Sequence, residues 1–140
     1  MLIIMQGISG SGKTTTAKKL AKEHDALIFS TDDYFIGEDG VYCWDAAKLR
    51  EYHQKNYERT VDALNQCKNV IVDNTNIQCW EPRPYVQAAV ERGIEVRFVR
   101  TTGNYQNLHG VPQEHVERMR ARMENLDVES VLASRPPWER

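Results

Sequence analysis

Cysteine is scarce in this chain. Cys43, Cys67 and Cys79 form no CxxC pair, which leaves neither a disulfide framework nor a zinc cage and points to reduced thiols in a cytoplasmic protein. An excess of charge of one sign is missing too. Eighteen basic residues against 20 acidic ones give a net charge of −2, so the molecule as a whole does not attract nucleic acid and is not expected to coat a duplex. No apolar run approaches the roughly 18 residues of a membrane span. The segment Met1 to Gln6 shows no basic leader and too short an apolar stretch for a signal peptide. Repeats and low-complexity segments are absent as well. The 140 residues, 41% apolar and 27% charged, suit one globular domain burying close to two-thirds of its unfolded surface, with no need of a structural metal.

What is present alternates between strand and helix signals. Leu2 to Gln6 and Ala26 to Ser30 are short apolar runs, read as strands buried on both faces. Asn69 to Asp73 is a third such run, and Glu95 to Arg100 a fourth strand by its alternation. Helices are expected over 13–23, 45–66, from about Pro82 to a stop at Gly93, and from Pro112 to about Leu126. The second carries Leu49, Tyr52, Tyr57, Val61 and Leu64 as its apolar face and Asp45 as N-cap; the last carries Val116, Met119, Met123 and Leu126. Arg135-Pro136-Pro137-Trp138 is expected to be non-helical. Such alternation implies a three-layer α/β fold, a small parallel sheet of about four strands in the order 2-3-1-4 with helices on both faces. Ligands of such sheets bind at the carboxyl ends of the strands, where Gly7 onward, Thr31-Asp32-Asp33, Asp73-Asn74-Thr75-Asn76 and Arg100 lie.

The segment Gly7-Ile8-Ser9-Gly10-Ser11-Gly12-Lys13-Thr14 matches G-x-x-x-x-G-K-[ST] between a strand and a helix. Chance produces that pattern in roughly one chain in two hundred of this length. Gly7, Gly10 and Gly12 let backbone N–H groups converge on a phosphate, and Ser9 and Ser11 are too small to obstruct them. The helix N-terminus, including Thr15, adds its dipole. Lys13 is expected to reach the β- and γ-phosphates of ATP, and the Thr14 hydroxyl to join the shell of Mg²⁺.

Binding a triphosphate does not separate kinases from GTPases or motor ATPases. About 125 residues after the cradle leave no room for the helical lid domain of oligomeric ATPases, and no N-K-x-D guanine motif occurs. A kinase also needs a carboxylate to deprotonate the attacking hydroxyl. Asp32 and Asp33 stand where one is wanted, against the alternative of a solvated turn or helix cap. Asp73, closing Val70-Ile71-Val72, is placed to hold Mg²⁺ directly or through water. Several carboxylates about one metal favour an alcohol as acceptor.

The cradle, FSTDDYF, IVDNTN with WEPRPY, and HGVPQEHVERM together resemble the kinase module of the polynucleotide 5′-kinase group, in particular the NEDD4-binding-protein-2-like proteins. The resemblance runs over about residues 2 to 127. It implies a P-loop kinase domain over 1–127, with 128–140 a C-terminal tail of the same domain or loosely packed. It also implies transfer of the ATP γ-phosphate to the 5′-hydroxyl of a nucleic-acid end or a nucleoside-like molecule. By position Asp32 resembles the family's general base, and Thr75 and Asn76 its acceptor-positioning segment. Asp33, Tyr34 and Asn74 join them as candidate substrate contacts. Where the bacteriophage enzyme has Asp in that segment, this chain has Asn74, with Asp73 one place earlier.

One departure stands out. The lid of such kinases carries arginines that neutralise the transition state, yet Thr101 to Gly110 contains no Arg or Lys. Arg83 and Arg100 are the candidate replacements, with a solvated helix charge and a strand-end charge as the alternatives; His109 helps only if protonated. Arg118 and Arg122 read as a solvated face. Tyr34, Phe35, Trp44, Tyr85 and Tyr105 offer surfaces on which a base can stack, against the alternative of core or rim packing. Transfer to a small-molecule hydroxyl and nucleotide binding without transfer are the competing functions.

Overall fold

Strand β1 (Leu2–Gln6) is apolar on both faces because it lies inside the sheet, and its residues divide between two cores. Leu2 and Ile4, with Val70 and Val72, pack against one set of helices; Ile3 and Met5, with Ile71, pack against another. The computed structural model describes residues 1–8, 11–102 and 113–139, with Gln113 described by its backbone alone.

Four strands among the described residues, β1, β2 (Ala26–Phe29), β3 (Asn69–Val72) and β4 (Val96–Arg100), form one parallel sheet in the order β2-β3-β1-β4. Helix α1 (Lys13–His24) covers one face through Ala17, Leu20 and Ala21. Helices α2 (Leu49–Asn65), α3 (Arg83–Glu91) and α5 (Val128–Ala133) cover the other, through Ala63, Leu64, Tyr85, Val86, Ala89 and Val131. Helix α4 (Gln113–Ala121) packs at the carboxyl edge, where Val116, Met119 and Met123 meet Ile8 and Ile77. The expected three-layer architecture and strand order are observed.

Several local expectations are corrected. Strand β2 is not buried on both faces: it is the sheet's edge, and Leu27 stays 39% exposed. Helix α2 begins only at Leu49, after a 3-10 turn over Ala46–Lys48 that Asp45 caps by accepting from the Ala47 N–H at 3.0 Å. Its buried stripe is Asn56, Thr60, Ala63 and Leu64, whereas Tyr57 and Val61 are only half-buried. Polar side chains occupy that stripe because each finds a partner there. Asn56 donates to the Tyr85 hydroxyl at 3.0 Å, and Thr60 donates to the Asn56 carbonyl at 2.8 Å. Helix α4 ends at Ala121, short of Leu126, and Pro112 lies outside the described residues. Within the segment read as a tail, either part of the same domain or loosely packed, Val128–Ala133 forms α5, capped by Asp127, which accepts from the Ser130 N–H at 2.8 Å. Pro137 opens a single 3-10 turn through Glu139, a first-turn position that a proline tolerates.

Val131 is fully buried in the larger core. Val131→Ala is expected to lower stability by about 2 kcal/mol through lost burial and an incompletely filled cavity, read as a shift of the urea midpoint. A shift below about 0.5 kcal/mol, the size of a surface substitution, would place α5 outside the cooperative unit.

Candidate active site

Parallel pairing brings the strand ends level: Gln6 lies opposite Arg100, Ile4 opposite Val72, and Val72 opposite Phe29. The chain leaves β1 toward β2 on one side and leaves β3 toward β4 on the other. The crevice between β1 and β3 is therefore the topological switch point, where doubly wound sheets take their ligands. Lys13 and Asp73 meet there.

The cradle is tight. A Cβ built on Gly7 would overlap Thr101 Oγ1 and stand 2.5 Å from Ser11 Oγ, so only glycine fits beside this pair of hydroxyls, which hydrogen-bond each other at 2.7 Å. Gly12 caps α1 in the left-handed region, φ 84°, a conformation that costs glycine nothing. Ser9 and Gly10 lie outside the described residues. The Lys13 ammonium pairs with Asp73 Oδ1 at 2.8 Å, and Thr14 Oγ1 donates to Asp73 Oδ2 at 3.3 Å. Asp73 is 6% exposed, so the charges are neutralised where solvent does little. Thr15 is exposed on the next helical position.

The loop after β3 ties the strand ends together. Asn76, in the left-handed region at φ 46°, is buried and donates to the Met5 carbonyl at 2.8 Å. The Thr75 carbonyl accepts from the Gly7 N–H at 3.1 Å, and Asn74 Oδ1 accepts from the Thr31 N–H at 2.9 Å. Asn74, Thr75 and Asn76 thus fasten the loop after β3 to those after β1 and β2.

The two acidic residues after β2 part company. They lie in a 3-10 turn over Thr31–Phe35. Asp33 closes a capping box with Ser30 and pairs with Arg59 at 2.9 Å. Asp32 is exposed and accepts from the Tyr42 hydroxyl at 3.3 Å. Loss of solvation and the Asp32 charge push the Tyr42 phenol up, which keeps it a donor. Arg59 lies on no sequence motif. Its guanidinium bonds Asn56 Oδ1, the Ser30 carbonyl and Asp33 Oδ2, and lies over the rings of Phe29 and Tyr34 at 4.3 and 4.6 Å. The sequence signal was its three-residue spacing from Asn56 on a helix face with polar residues at core positions.

The arginines also differ. Arg100 donates to Gln6 Oε1 at 2.7 Å and to the Glu124 carbonyl at 2.8 Å. Arg83 Nε is buried with no hydrogen-bond partner among the described residues, a donor that needs an acceptor. Of the lid, only Thr101 and Thr102 are described; His109 and Tyr105 lie outside the described residues. Phe35 and Tyr85 are core residues at 4% exposure each, Trp138 packs edge-on against Trp80 at 5.1 Å, and Arg118 faces solvent.

Known proteins share this architecture. A family model described as an AAA domain matches residues 2–102. NEDD4-binding protein 2 from Homo sapiens is 34% identical over 130 residues, 85% of this chain and 7% of that much longer protein. Kti12 from Chaetomium thermophilum, solved in complex with ADP-AlF3, superposes with a TM-score of 0.67 at 15% identity, over 91% of this chain and 82% of that one. A chain of the Pnkp1/Rnl/Hen1 RNA repair complex gives 0.61 at 20% identity, over 93% and 41%. The shared fold is that of P-loop kinases.

His53 reports on this site by titration. Its Nδ1 shares a 3.0 Å hydrogen bond with Thr31 Oγ1, although the residue's outer surface is exposed. Desolvation holds its pKa below the ordinary imidazole value, and the Asp32 charge offsets this in part. The unfolded chain therefore takes up the proton first, so this contribution to stability is complete above about pH 6.5 and declines as pH falls below it. Urea midpoints at pH 7 and pH 5 are expected to differ more for the native chain than for His53→Gln; equal differences would remove His53 from the linkage.

Proposed function

The chain belongs to the AAA domain family whose model spans residues 2–102, and from that premise we propose that it is an ATP- and Mg²⁺-dependent kinase acting on the 5′-hydroxyl of a polynucleotide end or nucleoside. The observation that carries this reading is the meeting of Lys13, Thr14 and Asp73 at the switch point, with the Asp32 turn fastened alongside by the hydrogen bond from the Thr31 N–H to Asn74. Phosphate-binding and proton-accepting groups then share one sheet edge. Among the proteins of like fold, Kti12 was solved with ADP-AlF3, which accords with nucleotide binding, and Pnkp1 within an RNA repair complex, which accords with a nucleic-acid acceptor.

In this reading, Gly7 to Thr15 hold the triphosphate with backbone N–H groups and the Lys13 ammonium. Thr14 Oγ1 and Asp73 Oδ2, 3.3 Å apart, are hard oxygens of the kind Mg²⁺ takes and would hold it. The bound cation would neutralise charge on the phosphates. Asp32 accepts the proton of the acceptor hydroxyl as its oxygen bonds to the γ-phosphorus; the bond from that phosphorus to the β–γ bridging oxygen breaks, and ADP departs. Tyr42 steadies the Asp32 carboxylate. Arg83, whose Nε has no partner among the described residues, is the cation for the transition state, whereas Arg100 is occupied in joining Gln6 to the Glu124 carbonyl. The acidic net charge limits contact with nucleic acid to its end and leaves out extended duplex. Free cysteines at 43, 67 and 79 suit a cytoplasmic setting, and no helix among the described residues is long and apolar enough to cross a membrane.

Radiolabelled ATP offered with a 5′-hydroxyl oligonucleotide is expected to label the nucleic acid. Lys13→Ala should abolish ATP binding in calorimetry; Asp32→Asn should bind ATP and transfer nothing. Label in a small-molecule pool instead would make the acceptor a metabolite, and binding without transfer would reduce the protein to a nucleotide-binding module. Arg83→Ala is expected to lower kcat on the order of a thousandfold, as loss of a transition-state arginine does, and Arg100→Ala chiefly to lower stability. A native kcat for Arg83→Ala would strip that residue of its role.

A further inference from the structure

Between β2 and α2 the chain builds a ledge of aromatic rings beside Asp32. Its anchor is the buried Phe35. The Trp44 ring stacks on it at 6.5 Å and 28°, Tyr42 lies tilted at 6.2 Å, and Tyr52 meets it edge-on at 4.7 Å. Backbone hydrogen bonds hold the ledge in place. The Gly37 N–H donates to the Val41 carbonyl at 3.0 Å, the Cys43 N–H donates to the Phe35 carbonyl at 2.9 Å, and Ile36 bridges Tyr42. Rings this well fixed normally complete a core. Here Trp44 remains 55% exposed and Tyr42 45% exposed.

Two further observations say what the ledge is for. The Tyr42 hydroxyl donates to Asp32 Oδ1, so the exposed rings begin one phenol away from the candidate base, on the β2 side of the sheet edge and not on the cradle. The tip of the hairpin is acidic, with Glu38 and Asp39 exposed between Gly37 and Gly40. Acid there opposes a run of phosphates laid across the ledge while leaving a neutral flat ring unopposed. A pre-oriented indole loses little freedom on accepting such a ring.

We propose that Trp44, with Tyr42, stacks the nucleobase attached to the sugar whose hydroxyl meets Asp32. The site is then built for a nucleoside or a nucleic-acid terminus, and a polyol or a bare sugar lacks the group it grips. This rests on the phosphotransfer reading for the role of Asp32, but base stacking is measurable without transfer. The adenine of ATP presents the same chemistry, and its claim on the ledge is tested separately.

The experiment measures binding of a short 3′-dye-labelled 5′-hydroxyl oligonucleotide to the full chain by fluorescence anisotropy, beside the same oligonucleotide with an abasic 5′-terminal residue. Stacking of one base predicts about tenfold weaker binding of the abasic form. Trp44→Ala should lose the same factor and bind both oligonucleotides alike. Trp44→Phe, which keeps a ring on Phe35, should retain most of the preference. Intrinsic tryptophan emission should be quenched by the intact oligonucleotide in the native chain and not in Trp44→Phe. Equal affinity of the native chain for intact and abasic oligonucleotides would overturn the proposal, as would Trp44-dependent quenching by ATP alone. Preferential binding with no label transfer would sink the kinase reading and leave the ledge; transfer with no base preference would do the reverse.

Discussion

The Lys13–Asp73 pair is the constraint on which the rest of the molecule turns. An ammonium and a carboxylate drawn out of solvent lose several kcal/mol of hydration each, which only close pairing and further hydrogen bonds offset. Their places are set by backbone: Lys13 opens α1 immediately after the cradle, and Asp73 immediately follows β3. Bringing them together therefore requires β1 and β3 to be neighbours in parallel register, which Leu2, Ile3 and Ile4 achieve by pairing with Val70, Ile71 and Val72. The two apolar runs are the means, and the charged pair is what they position.

From that pair a chain of hydrogen bonds runs outward. Asn76 grips the Met5 carbonyl, Asn74 takes the Thr31 N–H, Thr31 shares a hydrogen bond with His53, and Arg59 joins Asp33 and Ser30 to Asn56. Each buried polar group in this path has a partner, which lets polar side chains sit where a core is expected. The consequence is chemical as well as structural. Both Asp32 and Asp33 are exposed, but Asp33 is engaged by Ser30 and Arg59 in holding the turn while Asp32 accepts from Tyr42, so adjacent residues of one type acquire different environments. Ring contacts extend the same frame to Phe35 and the exposed Trp44, setting an apolar surface within reach of the Asp32 carboxylate.

Much of this was legible from local pattern. Four apolar runs separated by helical periods announce a parallel α/β sheet, and G-x-x-x-x-G-K-T announces a phosphate site, because both depend on neighbours in the chain. Less legible were positions fixed by distant partners. Strand β2 reads as buried, yet it has a strand on one side only, and Leu27 faces solvent. Asn56 looks like a surface residue until Tyr85 arrives from α3 to accept its hydrogen bond, and Thr60 is buried beside it, bonded to the Asn56 carbonyl one turn back. Val128 to Ala133 has too short a period to declare itself, and the burial of Val131 in the core beside α3, with the Asp127 cap, makes it a helix.

The amino-acid order by itself determined the strand–helix alternation, the glycine-lined cradle and the presence of carboxylates at the strand ends, since backbone sterics and apolar periodicity act over a few residues. Tertiary structure alone decided that Arg59 engages Asp33 and not Asp32, that Arg100 is engaged while Arg83 Nε has no partner among the described residues, and that rings near Asp32 form an open ledge. Those outcomes depend on groups tens of residues apart competing for the same hydrogen bonds and the same buried space, a competition settled only once the sheet has set their distances.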